Sequence, residues 1–226
     1  MIKVTNLTKK YGKKTAINNI SFEIDDNDTV AIIGGNGSGK TTLVEILAGV
    51  LNKTSGDIEI KTKNEKNEIG IQFQEGNWPR GTTPNRVLKF YTNKEQDDWV
   101  EKLKDIFEIR EFLKSDLNSL SGGQKQRFNA MLSILNKPEV VILDELITGL
   151  DLKMQLSLIE FFRNYQTENH STLIFISHMP EEVELICHRL ILLDKGEIVM
   201  DKLVKDVVKE NGSVRNMLID FYGKNK

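Results

Sequence analysis

Cysteine is almost missing from this chain. Cys187 stands alone in 226 residues, so no intrachain disulfide can form and a reducing compartment fits. Cys187 reads as a small apolar helix residue rather than a reactive thiol. Long hydrophobic runs are also missing: none approaches the roughly 18 apolar residues of a membrane span. Any membrane role would therefore need a separate membrane-embedded partner. One-sided charge is absent as well. The formal net charge is −2, which excludes a global basic field and gives no reason to expect direct contact with nucleic acid. The start, Met1-Ile2-Lys3-Val4-Thr5-Asn6, enters an alternating pattern directly and lacks the layout of a signal peptide. No repeat or low-complexity segment is visible. What is present is a globular composition, 28% charged and 39% hydrophobic. Residues 1–226 suffice for one domain with a substantial core and an inserted lobe.

Residues 2–8 and 17–25 alternate apolar and polar positions like strands with one solvated face, joined by the turn Tyr11-Gly12-Lys13-Lys14. Thr29 to Ile33 is a short apolar run entering a glycine cluster, the pattern of a buried central strand. From Lys40 the spacing is helical, with Leu43, Ile46, Leu47 and Val50 expected on one face. Residues 57–61 and 68–73 read as further strands. After Gln74, Gly76, Pro79, Gly81 and Pro84 mark a loop, and 85–92, 96–107 and 109–114 read as short helices. Strand-like runs return at 139–143, 172–176 and 189–194, with helical stretches at 153–166 and 180–187 between them. The alternation predicts an α/β fold with a mostly parallel sheet and helices on both faces. The stretch from about 76 to 135 is expected to be an inserted helical subdomain. The tail, 203–226, is amphipathic through Val207, Val208, Val214, Met217, Leu218 and Phe221 and is expected to pack back on the domain or to form a docking surface.

Gly34-Gly35-Asn36-Gly37-Ser38-Gly39-Lys40-Thr41 matches the P-loop pattern in full, between a strand and a helix. Its glycines let backbone N–H groups converge on phosphate oxygens, and the helix N-terminus adds positive potential. Lys40 is expected to bridge the β- and γ-phosphates and Thr41 to ligate Mg²⁺. Val140 to Glu145 is an apolar strand ending in two carboxylates. Asp144 suits Mg²⁺, and Glu145 suits a general base for an attacking water. Gln74 ends another strand and has the donor and acceptor groups to touch Mg²⁺ or that water; on its own it would read as a surface glutamine. His178 follows an apolar strand ending near the same sheet edge, where ligands of open α/β sheets bind. His170 and His188 read as solvent-facing. Tyr11 offers an aromatic face for adenine or is a half-buried turn residue. Leu120-Ser121-Gly122-Gly123-Gln124 is a second glycine-rich turn, with Ser121 placed to cap a helix over 124–136 and so to face an anion.

Taken in order, these elements resemble the ATP-binding cassette (ABC) ATPases over about residues 2–200. The resemblance is carried by Tyr11, the P-loop at 34–42, Gln74 closing Ile69 to Gln74, Leu120 to Gln124, Asp144-Glu145, Gly149-Leu150-Asp151 and His178. It implies ATP and Mg²⁺ as ligands, with a P-loop NTPase core and an N-terminal antiparallel β subdomain. Tyr11, Gly34, Asn36, Gly37, Ser38, Gly39, Lys40, Thr41, Thr42 and Gln74 would hold the nucleotide. Thr41, Gln74 and Asp144 would hold Mg²⁺; Glu145, His178 and Lys40 would be catalytic. The signature, Ser121, Gly122, Gly123 and Gln124, would cover the γ-phosphate of a second cassette, identical or paralogous. Asp151 would couple the two sites. A separate transmembrane permease would be the other partner, placing the chain in the cytoplasm on the inner face of the membrane. The short tail and the context of Asp151 lean toward an exporter. Four departures are visible: Gly35 for a common proline, Asp26-Asn27-Asp28-Thr29 for a glycine-glutamate turn, Leu146-Ile147 for proline-threonine, and the segment 76–81, where Trp78 and Arg80 are candidates for partner contact. Two rival readings are a soluble ABC ATPase powering a protein or nucleic-acid complex, and a GTPase using Asn93-Lys94-Glu95-Gln96.

Overall fold

The structure, a computed structural model, describes residues 1–62, 69–72, 78–91 and 98–224. Gln74 and the segment 93–96 lie outside these residues. A three-stranded antiparallel sheet, ordered β2-β1-β4, is formed by β1 (Ile2–Tyr11), β2 (Lys14–Ile24) and β4 (Ser55–Ile60). A six-stranded sheet is ordered β5-β6-β7-β3-β8-β9, from β5 (Ile69–Gln72), β6 (Val140–Asp144), β7 (Thr172–Ile176), β3 (Thr29–Gly34), β8 (Arg189–Asp194) and β9 (Glu197–Leu203). Neighbours from β5 to β8 pair in parallel, and only β9 runs antiparallel. This is the expected P-loop NTPase core with an N-terminal antiparallel subdomain.

Strands β3, β6 and β7 are buried at every position, which is why their sequences read as unbroken apolar runs. Their alternate residues feed two separate cores. Val30, Ile32, Val140, Ile142, Ile174 and Ile176 pack toward the antiparallel sheet and α1 (Lys40–Leu47). Ala31, Ile33, Val141, Leu143, Leu173 and Phe175 pack toward the helices of the other face. Val50 does not join the α1 face: the helix ends at Leu47, Gly49 turns the chain at φ 70°, and Val50 is exposed.

Between β5 and β6 lie α2 (Pro84–Tyr91), α3 (Asp98–Ile106), two 3₁₀ turns (Arg110–Phe112 and Leu117–Ser119) and α4 (Gly122–Ser133). These form the inserted helical subdomain. The expected helix at 109–114 is only a short 3₁₀ turn. Arg127, in α4, is buried and ties the subdomain together. Its guanidinium donates to the Phe107 carbonyl at 3.0 Å, the Glu108 carbonyl at 3.3 Å and the Glu111 carboxylate at 2.7 Å. The subdomain approaches the sheet closely at Gly70, where a Cβ would fall 1.8 Å from the Ser133 carbonyl oxygen. Further on, α5 (Leu152–Asn169) and α6 (Pro180–Ile186) cover the sheet. The tail folds as α7 (Val204–Asn211) and α8 (Val214–Lys224), with Val207, Val214 and Met217 buried in the main core. No helix among the described residues is long and apolar enough to cross a membrane.

Candidate functional site

Strands β6, β7 and β3 are neighbours in the parallel sheet, so their carboxyl ends open on one edge. Each delivers a segment of chemistry there. Strand β3 runs into the glycine loop and α1. Side chains are excluded at two points of that loop: a Cβ on Gly34 would stand 2.2 Å from the Leu193 carbonyl oxygen, and one on Gly39 2.6 Å from that of Ala16. Gly39 is the N-cap of α1, at φ 108°, and provides no capping side chain; the first turn carries no acidic residue. The N–H groups at this end thus lack a local side-chain acceptor and suit an external anion. Lys40 is buried and donates from Nζ to the carbonyls of Gly34 at 2.8 Å and Gly35 at 3.0 Å. Burial pulls the pKa of its ammonium down, and the charges of Asp144 and Glu145 act against that shift.

Strand β6 ends at Asp144, which is buried, and the chain then turns sharply at Glu145. Glu145 adopts φ 53°, a left-handed conformation that costs a non-glycine residue about 1–2 kcal/mol. Two contacts hold it there. Its N–H donates to the Ile176 carbonyl at 2.8 Å, and its own carbonyl accepts from Gln126 Nε2. From β7 comes His178, whose Nε2 stands 3.1 Å from Glu145 Oε1. The residues on either side of His178 are fixed through Ser177: its hydroxyl accepts from the Met179 N–H at 3.0 Å and donates to Glu182 Oε2. Glu182 is 1% exposed. Burial pushes its carboxyl up to about 7, the Ser177 hydrogen bond opposes the shift, and the Glu145 charge adds to it.

A cavity of about 510 Å³ gathers Tyr11, Asn36, Gly37, Gly39, Lys40, Thr41, Thr42, Asp144, Glu145 and His178 on one lining. Tyr11 sits at its rim, 48% exposed, with Lys9 Nζ 4.9 Å from the ring centroid. The ABC transporter family profile matches residues 17–148, more than half of the chain. The chain belongs to the ABC transporter family, as an ATP-binding subunit. The cassette is similar to an uncharacterized ABC transporter ATP-binding protein of Methanocaldococcus jannaschii, 33% identical over 219 residues covering 92% of this chain and 80% of the relative. It is also similar to the linearmycin resistance ATP-binding protein LnrL of Bacillus subtilis, 31% identical over 212 residues covering 88% and 68%. Among solved structures, it shares its fold with a dimeric, post-hydrolysis ATP-binding cassette bound to ADP and Pi. There the TM-score is 0.78 at 24% identity, over 90% of this chain and 98% of the other. An AAA domain profile also matches residues 114–184.

The signature of the cassette does not line this cavity. It opens α4 with a reciprocal cap: Ser121 Oγ accepts from the Gln124 N–H at 3.3 Å, and Gln124 Oε1 accepts from the Ser121 N–H at 3.0 Å. The helix begins at Gly122, two residues earlier than the expected start, so the N–H groups of Gly122 and Gly123 belong to its first turn. Ser121 and Gly122 are exposed. Asp151 also has a local task, since its Oδ1 accepts from the Met154 N–H at 3.0 Å and caps α5. Leu146 and Ile147, which replace proline and threonine, are buried in the main core. Trp78 packs partly buried against that core and its carbonyl accepts from Asn118 Nδ2 at 3.1 Å, whereas Arg80 is exposed. His170 and His188 are exposed, as expected; Cys187 is buried just after α6, where burial pushes its thiol pKa up and the Glu182 and Asp28 charges add to that. The sequence does not single out Lys14, Ala16 and Ile176, which line the cavity, nor Gln126, Glu182 and Tyr222, which lie behind it, the last bordering the P-loop.

Proposed function

We propose that the chain hydrolyses ATP within a head-to-tail pair of cassettes and drives a separate transmembrane subunit. The carrying observation is that Lys40, Asp144, Glu145 and His178 share one cavity while the capped signature lies outside it. The chain thus has one complete triphosphate cradle, and a second anion-facing turn left for a neighbour. Tyr11 stacks on the base, and the loop from Gly34 to Thr42 wraps the phosphates. The Thr41 hydroxyl and the Asp144 carboxylate are hard oxygen donors on one wall of the cavity, a donor set that fits Mg²⁺. Bound there, the ion would offset charge on the β- and γ-phosphates.

Glu145 takes the proton of the attacking water as its oxygen bonds to the γ-phosphorus. The bond to the β–γ bridging oxygen breaks, and ADP leaves with the electron pair. His178, in contact with the Glu145 carboxylate, keeps that base aimed and reaches the γ-phosphate. Lys40 gives up carbonyl partners in its own loop for phosphate oxygens, and its positive charge offsets the charge of the transition state. In the pair, Ser121 and the Gly122 and Gly123 N–H groups cover the γ-phosphate of the other cassette, and Asp151 lies at the seam. The direction of transport in this reading is export, with the cassette on the cytoplasmic face of the membrane; the relatives include both a resistance protein and sugar and polyamine import proteins at similar identity.

Glu145→Gln tests the reading. The variant is expected to bind ATP, lose turnover and accumulate as a dimer on sizing columns when ATP is present. Normal turnover would remove Glu145 as the base, and a variant that stays monomeric at saturating ATP would remove the sandwich. Purification from membranes is expected to bring a hydrophobic membrane subunit with it. A purely soluble complex would instead favour the non-transport reading.

A further inference from the structure

The aromatic rim of the cavity has a support of its own. Tyr11 is the last residue of β1, and Lys9 lies two positions earlier on the same strand. The Lys9 ammonium stands 4.9 Å from the centre of the Tyr11 ring and also donates to the Asn52 carbonyl at 2.6 Å. Asn52 belongs to the connection that closes α1. In that connection the Val50 and Leu51 N–H groups both donate to the Glu45 carbonyl, at 2.9 and 3.0 Å. Two further bonds seat the connection on β1. The Lys10 N–H donates to Thr54 Oγ1 at 2.9 Å, and the Thr54 N–H to the Thr8 carbonyl at 2.9 Å. Lys9 is partly buried, whereas Lys10, Lys13 and Lys14 around it are exposed. The ammonium of Lys9 is therefore fixed on both sides, by a backbone oxygen of the segment that follows the P-loop helix and by an aromatic face.

A cation is attracted to the negative face of an aromatic ring. Tyr11 is 48% exposed, so little packing holds its ring in place, and the Lys9 contact supplies a fixed partner. Tyr11 lines the cavity and Lys9 does not, which leaves the cavity side of the ring open to a flat ligand. We propose that Lys9 is a positioning residue for the nucleobase: clamped between the Asn52 carbonyl and the Tyr11 ring, it holds that ring ready as the platform on which the base stacks. This rests on the ATP site and the stacking role of Tyr11 proposed above. A ring ordered in advance does not have to be ordered at the expense of binding, so the contact shows as affinity. The gain belongs to the base alone. A ligand with phosphates and no base makes no use of the platform.

The test is calorimetric titration of the full-length chain with Mg²⁺ at one ionic strength, using two ligands: ATP, and inorganic tripolyphosphate, which lacks a base. The readout is the ratio of the two Kd values, which cancels any general effect of charge on the phosphates. Lys9→Met removes the ammonium and keeps an unbranched stem. It is expected to raise the Kd for ATP relative to that for tripolyphosphate about two- to fivefold. Lys9→Arg keeps a cation and is expected to hold the wild-type ratio. Tyr11→Leu removes the ring, and in that background Lys9→Met is expected to change the ratio no further. Lys13→Met removes an equal charge from the exposed turn after β1 and is expected to leave the ratio alone. If Lys9→Met fails to fold, Lys9→Gln carries the same expectations. The same change in Lys13→Met overturns the proposal, as does a Lys9→Met effect that persists without the ring. Wild type that binds neither ligand would overturn the ATP site, and this proposal with it. Wild type that binds ATP no more tightly than tripolyphosphate would overturn the stacking role of Tyr11. A wild-type preference for ATP that Lys9→Met keeps in full overturns this proposal alone.

Discussion

Replacing Glu182 by glutamine removes one titratable group from behind His178 and leaves the shape of the side chain almost unchanged. The carboxyl holds its proton up to about 7 in the folded chain, against 4.5 for the ordinary value that the unfolded chain restores. A gap of that size corresponds to about 3 kcal/mol of stability. The native state binds more protons than the unfolded state between these two values. Stability from this group is therefore complete below the lower value and is lost as pH rises to the upper one. The groups facing the carboxyl are the Ser177 hydroxyl, the Glu145 charge and the Cys187 thiol; Oε1 has no hydrogen-bond partner among the described residues. The assay is urea unfolding of wild type and Glu182→Gln at about pH 5 and about pH 8. Wild type is expected to lose about 2–3 kcal/mol more than the variant between those conditions. A buried amide with unmade hydrogen bonds costs about 1–3 kcal/mol, but at both pH values alike, so it cancels in the comparison. Parallel pH profiles for the two proteins would refute the assignment of a neutral buried carboxyl.

Ser121→Ala removes the acceptor of the α4 cap and is expected to lower unfolding free energy by about 1 kcal/mol in nucleotide-free protein. An unchanged urea midpoint would mean that the cap contributes nothing to the fold and that Ser121 acts on the partner's nucleotide alone. At Glu145, glycine and alanine both remove the carboxylate, yet only glycine suits φ 53°. Glu145→Gly is therefore expected to be about 1 kcal/mol more stable than Glu145→Ala, with turnover lost in both; equal stability would mean that the turn carries no backbone strain.

The gathering of the candidate residues is readable from their order because each candidate segment directly follows a buried strand. Parallel pairing of β3, β6 and β7 then puts the strand ends side by side, so Lys40, Asp144, Glu145 and His178 needed no long-range inference beyond the sheet. The start of α4 differs from the expected 124 because glycines are poor helix formers, although the Ser-x-x-Gln spacing from Ser121 to Gln124 carries the capping box. Val50 shows the opposite case: it keeps the apolar period of α1 but lies past the turn at Gly49. Glu182 and Tyr222 carry no periodic signal of their role. A glutamate in the first turn of a helix reads as a favourable dipole contact, and only the packing of α6 shows this one to be buried. Tyr222 depends on how α8 crosses the domain to residue 35, a contact between chain segments that no local pattern encodes.

The Gln126 hydrogen bond gives α4 two attachments of different kinds. Its first turn is the signature, and one turn later Gln126 holds the carbonyl of Glu145. Consecutive turns of a helix are joined by N–H to C=O hydrogen bonds every four residues, so its first two turns move together. In the proposed pair, the rod that senses the neighbour's phosphate is thus tethered to the backbone of its own base. Arrival of a nucleotide on one side would then be registered mechanically on the other, which makes α4 a lever linking the timing of the two hydrolysis events.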